Sequence, residues 1–534
     1  MLERPPGWLT NQRPLIEAMK NEGYQDVPEE GVCFGITQMW VQAYLLGPEE
    51  KEKFYNRLYY ITTEDFKADK ALFEKNNQIQ KTQAGIRRIL TEGEQRFIDV
   101  RAFFDGVQLY FEPKAFKDIF SGKQITQQNI YHVASLVASN ALKEKGGLVI
   151  LDTDPWIYQS DQELFSYLDC VRDVLIVIKA MGSRVVLSLG TPKHHIALSL
   201  TEKNNFEVSD PNDLPGMEVP MENIVAHLKQ CLYIAPEQAQ YLLALQSYVT
   251  GDCVDKTRFI AAFKKLKERE HAINEETTRR HSDGDYLIHW VARYGLDDRL
   301  KELIENGADV NSLDSDAISP LACAIVSCDL PSIALLIKHG AKLQLSECTN
   351  LELGVQLGLS EVVDWLLQDE ETRTKTDFKA LIQTALSNND VNTLKILFSS
   401  QLNTAVASQN LGAIKTILNQ ADHYVDDIYS DFLETACQQA INENKEQSFT
   451  TLLDCSTSLI NKDPEKKRDF NHVLINLLNE KKLNNSIRNK LFAMLEMFSV
   501  HSTLNPNATE FFPANDPRQA GSSYAAKNIR KKKP

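Results

Sequence analysis

The feature that most constrains the fold is a repeat in the second half of the chain. The segment LIHWVARYGLDDRLKELIENGADVN begins at Leu287, and the similar segment SPLACAIVSCDLPSIALLIKHGAKL begins at Ser319. Gly307 and Gly340, which stand near the ends of the two segments, are 33 positions apart (340 − 307). One helix pair of this length cannot bury its own apolar face, so neighbouring copies must stack. The repeat therefore predicts an all-α array of helix pairs.

The two segments resemble ankyrin repeats in their LHxAAxxG, LxxLL and NGADVN blocks. Residues 349–370 match as a third copy without the closing Gly-Ala-Asp, and residues 380–400 match as a fourth. The resemblance implies an ankyrin-repeat solenoid over residues 285–500, in which the later copies are degenerate and a concave surface binds other proteins. His289 and Trp290 belong to the helix-packing pattern, so we expect them to be structural.

In the first half of the chain, Cys33 stands at the predicted start of a buried helix. A polar segment that contains Pro28 precedes it, and apolar residues at helical spacing follow it in GVCFGITQMWVQAYLLG. The unpaired N–H groups and the dipole of a helix N-terminus favour a negative charge and lower the pKa of a thiol. Cys33 is therefore a candidate nucleophile. Taken alone, this segment is equally compatible with an ordinary buried cysteine.

Candidate partners for the thiol lie far downstream. RVVLSLG and HHIALSL are predicted as adjacent strands, and NFEVSD as a third strand that ends in Asp210. A histidine at the start of one antiparallel strand and an acid at the end of the next can lie side by side. The imidazole can then take the thiol proton while the acid orients the ring. We expect His195 to be this base because it directly precedes the apolar run, with His194 as the alternative.

Together, GVCFGITQMW, KHHIAL and VSDPND resemble the papain-like cysteine proteases of the YopT group, which occur among bacterial effectors delivered into host cells. The resemblance covers roughly residues 25–220. It implies an α+β papain-like fold in which Cys33 is the nucleophile, His195 the general base and Asp210 the orienting acid.

The chain departs from the papain pattern at two points. The Cys-Gly-Ser-Cys-Trp signature is absent, and no glutamine lies at the usual short distance upstream to complete an oxyanion hole. Gln25 and Asn212 are the remaining candidates for that donor. The same triad also serves acyltransferases and deamidases. Both activities therefore stay open, as does a catalytically silent module that binds a host protein.

Composition narrows the class of protein. A net charge of −15 argues against nucleic-acid binding by the body of the chain, and only the basic ending KNIRKKKP is an exception. The nine cysteines are scattered without a CxxC motif or a zinc spacing, so we predict reduced thiols and no metal or other cofactor. The sequence shows no signal peptide and no apolar stretch long enough to span a bilayer.

Four regions follow from these patterns: a papain-like domain at 1–235, a helical linker at 236–284, ankyrin repeats at 285–500 and a flexible basic tail at 501–534. This combination resembles ankyrin-repeat effectors of intracellular bacteria such as Legionella. It implies a thiol hydrolase that is secreted into a host cell, acts in the host cytoplasm or nucleus, and uses its repeats to recruit a host protein.

Two further segments carry local expectations. RFIDVRAFFDGVQLYFEP is rich in aromatic residues and is compatible with a strand. GGLVILDTD is predicted as a buried strand, and Asp152 and Asp154 near its end are expected to form an acidic turn rather than a pair of catalytic or metal-binding carboxylates.

Overall fold

The structure is a computed structural model. It divides into two compact units, Met1–Leu366 and Leu367–Pro534. The predicted basic tail and Gln25 lie outside the described residues. The structure describes residues 11–24, 27–28, 31–82, 89–113, 116, 130–191, 193–279, 286–342, 349–424, 431–460, 464–480 and 483–498.

Helices form the first part of unit one. They are α1 (Arg13–Asn21), α2 (Cys33–Leu46), α3 (Pro48–Tyr60), α4 (Glu64–Thr82), α5 (Glu92–Phe111), α6 (Ile130–Val137) and α7 (Asn140–Glu144). The predicted helix start at Cys33 is confirmed, since α2 begins directly after Val32. Most apolar residues of α2 are buried, Trp40 and Val41 among them, and α2 contacts α3 and α5.

The aromatic-rich segment predicted to be compatible with a strand is helical and belongs to α5. A capping box between Thr91 and Glu94 fixes its first turn, with the hydroxyl of Thr91 accepting from the Glu94 N–H and the Glu94 carboxylate accepting from the Thr91 N–H. Phe97 and Phe104 recur at helical spacing and are buried in the core that α5 shares with α2. Helical periodicity therefore outweighs the strand preference of the aromatic residues.

A six-stranded antiparallel sheet follows, in the order β1-β6-β2-β3-β4-β5. The strands are β1 (Leu148–Tyr158), β2 (Val186–Gly190), β3 (His195–Leu200), β4 (Phe206–Asp210), β5 (Asp213–Val219) and β6 (Tyr241–Thr250). The predicted strands in RVVLSLG, HHIALSL and NFEVSD are confirmed. β1 continues to Tyr158, so Asp152 and Asp154 lie within a strand and not in the predicted acidic turn.

Residues 236–284, predicted as a helical linker, contain the strand β6. β6 pairs with β1 along one edge and with β2 along the other, which places it inside the sheet. Every residue from Tyr241 to Val249 is buried, so the apolar run lacks the two-residue alternation that marks a half-exposed strand. The sheet-bearing domain therefore extends beyond residue 235.

Helices cover both faces of the sheet. Those that follow β1 are α8 (Asp161–Ala180), α9 (Ile224–Cys231) and α10 (Lys256–Glu270). Val186 and Ala197 belong to the same core as α2. Leu187 and Ile196, their neighbours in sequence, are equally buried and point to the opposite face, because side chains alternate along a strand. On that face α8 contacts β1 and β3, while α10 contacts β1 and α8.

The predicted repeats are helix pairs: α11 (Leu287–Arg293) with α12 (Asp297–Glu305), α13 (Pro320–Val326) with α14 (Leu330–Lys338), and α15 (Asn350–Gln356) with α16 (Ser360–Leu367). A residue in the left-handed region joins the helices of each pair: Gly295, Cys328 and Gly358. The first two pairs start 33 residues apart (320 − 287), whereas the third starts 30 residues later (350 − 320). His289 is buried and its Nε2 lies 3.2 Å from the carbonyl oxygen of Ser312, which agrees with a structural role.

Unit two is helical throughout its described residues. Its helices are α17 (Glu370–Lys375), α18 (Phe378–Ser387), α19 (Val391–Ala407), α20 (Leu411–Tyr424), α21 (Asp431–Asn442), α22 (Glu446–Ile460), α23 (Pro464–Leu478) and α24 (Asn485–Phe498). Asn389, Gln409 and Asn444 adopt positive φ between successive helices. At 17 residues, α19 is longer than the nine-residue α12 and α14. The later helix pairs therefore keep the turn of the repeat but not its dimensions.

Candidate functional site

Cys33 lies at the N-terminus of α2, where helix packing holds it against the sheet. The hydroxyl of Thr37 donates to the backbone carbonyl oxygen of His195 at 3.0 Å, which ties the first turn of α2 to β3. One residue before the cysteine, the Val32 N–H donates to Oε1 of Gln12 at 2.7 Å. Cys33 itself is only partly exposed. The helix start thus presents a thiol next to the first residue of β3.

A tight turn before β3 places two histidines beside the sulfur. The Thr191 N–H donates to the carbonyl oxygen of His194 at 2.9 Å, and the His194 N–H donates back to the Thr191 hydroxyl at 3.1 Å. His194 and His195 both lie within hydrogen-bonding reach of the Cys33 sulfur. The sequence prediction that a distant histidine reaches the helix start is therefore matched by two imidazoles.

Asp210 selects between the two histidines. It ends β4 at a shift in the pairing with β5, and its Oδ1 lies 2.7 Å from Nε2 of His194. The Asn212 N–H donates to the same oxygen at 2.8 Å and fixes the carboxylate. With Nε2 turned to the acid, Nδ1 is the nitrogen of His194 left for the sulfur. The geometry thus places Cys33, His194 and Asp210 in series, with the imidazole between the sulfur and the carboxylate.

His195, which the sequence favoured as the partner of the acid, packs against Phe34 and Gly190 while its ring stays within reach of the sulfur. Its ring packs edge-on against Phe34 with centroids 5.0 Å apart. It also covers Gly190, its cross-strand partner in β2, where an added Cβ would collide with the imidazole. Asp210 accordingly pairs with His194 and not with His195. The expectation was wrong on this contact because His194 lies just before the strand, where strand alternation gives no guide to side-chain direction.

The local charges favour an ionised thiol. Burial alone raises the pKa of the Cys33 thiol, but hydrogen bonds from His194 and His195 outweigh burial and lower this pKa to about 6. Burial lowers the pKa of His194, whereas its bonds to Asp210 and Cys33 prevail and raise it to about 9. Each of the two pKa shifts favours the charged form of its group. They favour a thiolate paired with an imidazolium at neutral pH.

Gln12 is a site residue that the sequence analysis missed. Its Nε2 donates to Oδ1 of Asn212 at 3.0 Å, and Nδ2 of Asn212 donates in turn to the hydroxyl of Tyr233 at 2.9 Å. Gly31 has φ +130, and a Cβ there would come within 2.5 Å of the Gln12 amide nitrogen. Gln12 is 21 positions before Cys33 (33 − 12), and nothing in the surrounding pattern marks it, because α1 and its loop bring it back to the site.

A cleft of about 750 Å³ opens beside His194. One face of α1 and the residues just before this helix form one wall, and residues that precede β3 or follow β4 and α9 form the other. The lining residues are Asn11, Gln12, Arg13, Ile16, Glu17, Lys20, Lys193, His194, Asn212 and Tyr233. His194 thus lies at the edge of a polar, charged depression.

The described residues offer neither a metal-binding cluster nor a helix suited to crossing a membrane. Within the described part of the chain, no group of three or more His, Cys, Asp or Glu side chains could hold a metal ion. Among the same residues, no helix combines the length and apolar character needed to cross a bilayer.

Comparisons with known proteins bear on the repeats. No curated protein matches the chain. The crystal structure of the human ASB11 ankyrin repeat domain is 20% identical, with 36% of this chain and 78% of that chain covered and a TM-score of 0.20. A family model described as ankyrin repeats, in three copies, matches residues 288–377. These residues therefore form ankyrin repeats, a module that typically binds other proteins.

Proposed function

We propose that residues 11–279 form a papain-like Cys–His–Asp thiol hydrolase and that the ankyrin repeats recruit its protein substrate. The supporting observation is the convergence of Cys33, His194 and Asp210 from a helix start, a turn and a strand end, with His194 Nε2 only 2.7 Å from Asp210. Residues so far apart in sequence have no local reason to meet. A nucleophile, a base and an orienting acid in hydrogen-bond contact are what acyl transfer requires.

In this proposal the Cys33 thiolate attacks the carbonyl carbon of the bond to be cut. The His194 imidazolium then gives its proton to the leaving nitrogen, which releases the first product and leaves a thioester. The neutral imidazole next takes a proton from water as that water attacks the thioester. Asp210 stabilises the ring whenever it is charged and holds its Nδ1 towards the sulfur.

The oxyanion formed in each attack needs hydrogen-bond donors. The backbone N–H of Cys33, at the start of α2, is one candidate, because the first N–H groups of a helix have no intrahelical partner. The Nε2 of Gln12 is the other. It lies against Gly31, and one of its two N–H groups is engaged by Asn212. Gln12 thus takes the role for which the sequence offered only Gln25 and Asn212.

The reactivity of Cys33 towards iodoacetamide at pH 7 tests the proposal. A thiol with a pKa near 6 is about 90% ionised at this pH, and one near 9 about 1%, so Cys33 should react tens of times faster than an ordinary thiol. Cys170 is the internal reference, because burial raises its pKa. The variant His194→Ala should remove most of the advantage. Equal alkylation of Cys33 and Cys170 in the unsubstituted protein would refute an activated nucleophile.

Mass spectrometry of proteins captured by the repeats separates hydrolysis from the alternatives on the same scaffold. A hydrolase yields a cut chain, a deamidase an altered glutamine and an acyltransferase a new acyl group. None of these products should form with Cys33→Ala. A captured protein that is unchanged by the unsubstituted enzyme would favour the silent binding module.

The cellular setting is part of the proposal and rests on the resemblance to ankyrin-repeat effectors. The scattered, unpaired cysteines suit a reducing host cytosol, since the described cysteines are all free thiols. A reporter fused to the chain would detect delivery into host cytoplasm or nucleus. Retention of the reporter in the producing cell under infection conditions would refute this part alone.

A further inference from the structure

We infer that the cleft beside His194 selects polypeptide segments that carry an acidic side chain next to the bond attacked. This inference rests on the proposed function and adds the substrate class. It comes from the charges that line the cleft, which differ in sign from the rest of the chain. The formal net charge of the whole protein is −15, whereas the cleft is positive.

Three cations and one anion line the cleft. Arg13, Glu17 and Lys20 lie at three- and four-residue spacing on one face of α1, and Lys193 lies across from them in the turn before His194. Their formal charges sum to +2 (3 − 1). The protonated ring of His194 adds a further cation close to the sulfur. A cleft lined by one sign of charge concentrates ligands of the opposite sign.

The cleft offers a peptide an aromatic contact that is held in place. Tyr233, with 69% of its surface exposed, stands at the rim, and its ring lies edge-on to His194 with centroids 5.6 Å apart. Its hydroxyl accepts from Asn212, so the aromatic ring is held in place beside the reacting groups. An exposed, anchored tyrosine offers a large contact area at small entropic cost. The volume of about 750 Å³ is within the usual range of ligand sites.

Glu17 restricts the kind of anion that fits. It lies between Arg13 and Lys20 on the α1 wall and opposes a continuous polyanion that would contact both cations. A single carboxylate needs only one cation of the cleft, such as Lys193, which directly precedes His194 and lies on a different segment from Glu17. This arrangement favours a peptide with one or a few Asp or Glu residues over a nucleic acid.

Alkylation of Cys33 by two reagents of different charge tests whether the cleft attracts anions, and it needs no known substrate. The ratio of the Cys33 rates with iodoacetate and iodoacetamide is measured at low ionic strength in the full chain. In R13Q/K193Q this ratio should fall about 3- to 10-fold, because two exposed charges beside an anion each contribute a few-fold. The matched control K67Q/K264Q removes two well-exposed lysines elsewhere and should keep the original ratio.

Peptide probes then test the substrate class. Two peptidyl acyloxymethyl ketones that differ only by Glu or Gln next to the reactive group are compared by their rates of labelling Cys33. The Glu probe should react faster, and R13Q/K193Q or added salt should abolish its advantage. Equal rates for the two probes, or a ratio unchanged in R13Q/K193Q, would overturn the inference while fast alkylation still supports the thiolate. Slow alkylation by every reagent would instead refute the proposed function.

Discussion

The described part of the chain holds two buried histidine–aspartate pairs with the same nitrogen–oxygen distance. His194 Nε2 lies 2.7 Å from Asp210, and His271 Nδ1 lies 2.7 Å from Asp154. Both imidazoles are almost inaccessible, with 3% and 1% of their side-chain surface exposed. The first pair has the Cys33 thiol beside it and a cleft at its edge. The second pair has neither among its described contacts.

The surroundings of His271 show what the pair does without a nucleophile. Its ring is stacked between Trp156 and Tyr167, with centroids 4.4 and 4.1 Å away. The Tyr167 hydroxyl donates to Asp154 at 2.8 Å. The His271 carbonyl oxygen accepts from Arg299 of α12 at 2.9 Å, so the pair lies where the sheet meets the first repeat. A buried imidazole–carboxylate contact is therefore a packing element here, and the chemistry proposed for His194 depends on the thiol and the cleft that His271 lacks.

The largest expected difference between the two pairs is their effect on the rate at which Cys33 reacts. His194→Ala should lower the labelling rate of Cys33 at pH 7 by tens of times, because it removes a hydrogen-bond donor that keeps the thiol ionised. His271→Ala should leave the rate per folded molecule within a few-fold of the original. Both variants are compared by single-turnover labelling of Cys33, with the folded fraction measured by circular dichroism. A comparable loss of rate in folded His271→Ala would show that the second pair also serves the chemistry.

The free energy of unfolding should depend more on the pair at His271 than on the pair at His194. Asp154→Ala leaves His271 and Tyr167 without their buried acceptor and is expected to lower the free energy of unfolding by about 3–5 kcal/mol. Asp210→Asn keeps the shape of the side chain at the edge of a cleft and should cost no more than about 1–2 kcal/mol. Urea unfolding followed by intrinsic fluorescence measures both values. If Asp210→Asn were the more destabilising variant, the assignment of His271 to packing would be wrong.

The pH dependence sharpens the chemical side of the comparison. The lowered pKa of Cys33 means that its thiolate is present above about pH 6, and the raised pKa of His194 means that its imidazolium is present below about pH 9. The reactive pair therefore exists between these limits. From pH 7 to pH 5 the alkylation rate should fall about 10-fold. His194→Ala should move the pH at which the rate falls on the acid side upward, towards the pKa of an ordinary thiol. No such movement would mean that another group ionises Cys33.

The smallest effect is expected at the joint between the second pair and the repeats. The guanidinium of Arg299 lies 5.7 Å from the ring centre of Trp156 and also donates to His271. Arg299→Ala should cost about 1–2 kcal/mol of unfolding free energy. Arg279→Ala is the control, because 70% of the Arg279 side chain is exposed. Equal shifts in the two variants would show that the Arg299 contacts are not stabilising.

The sequence predicts those parts of the fold and site that depend on local pattern. The helix start at Cys33 and the strand that ends in Asp210 are marked by apolar spacing and by flanking Pro, Gly and Asp residues. β6 escapes the prediction because burial on both faces removes alternation. Gln12 and the choice of His194 over His195 depend on how distant segments dock, which no local window encodes. The predicted repeats are confirmed as far as residue 377, where the family match ends, and their extension to residue 500 stays a prediction.

The late strand β6 has a consequence for how the protein is made. Because it lies between β1 and β2, the sheet cannot close until residues 241–250 have left the ribosome. A nascent chain that stops at residue 235 would carry both histidines and Cys33 but no completed platform to align them. The Cys33 site would therefore form only when synthesis is about to enter the first repeat, and any shortened gene meant to yield the sheet-bearing domain alone must encode this strand.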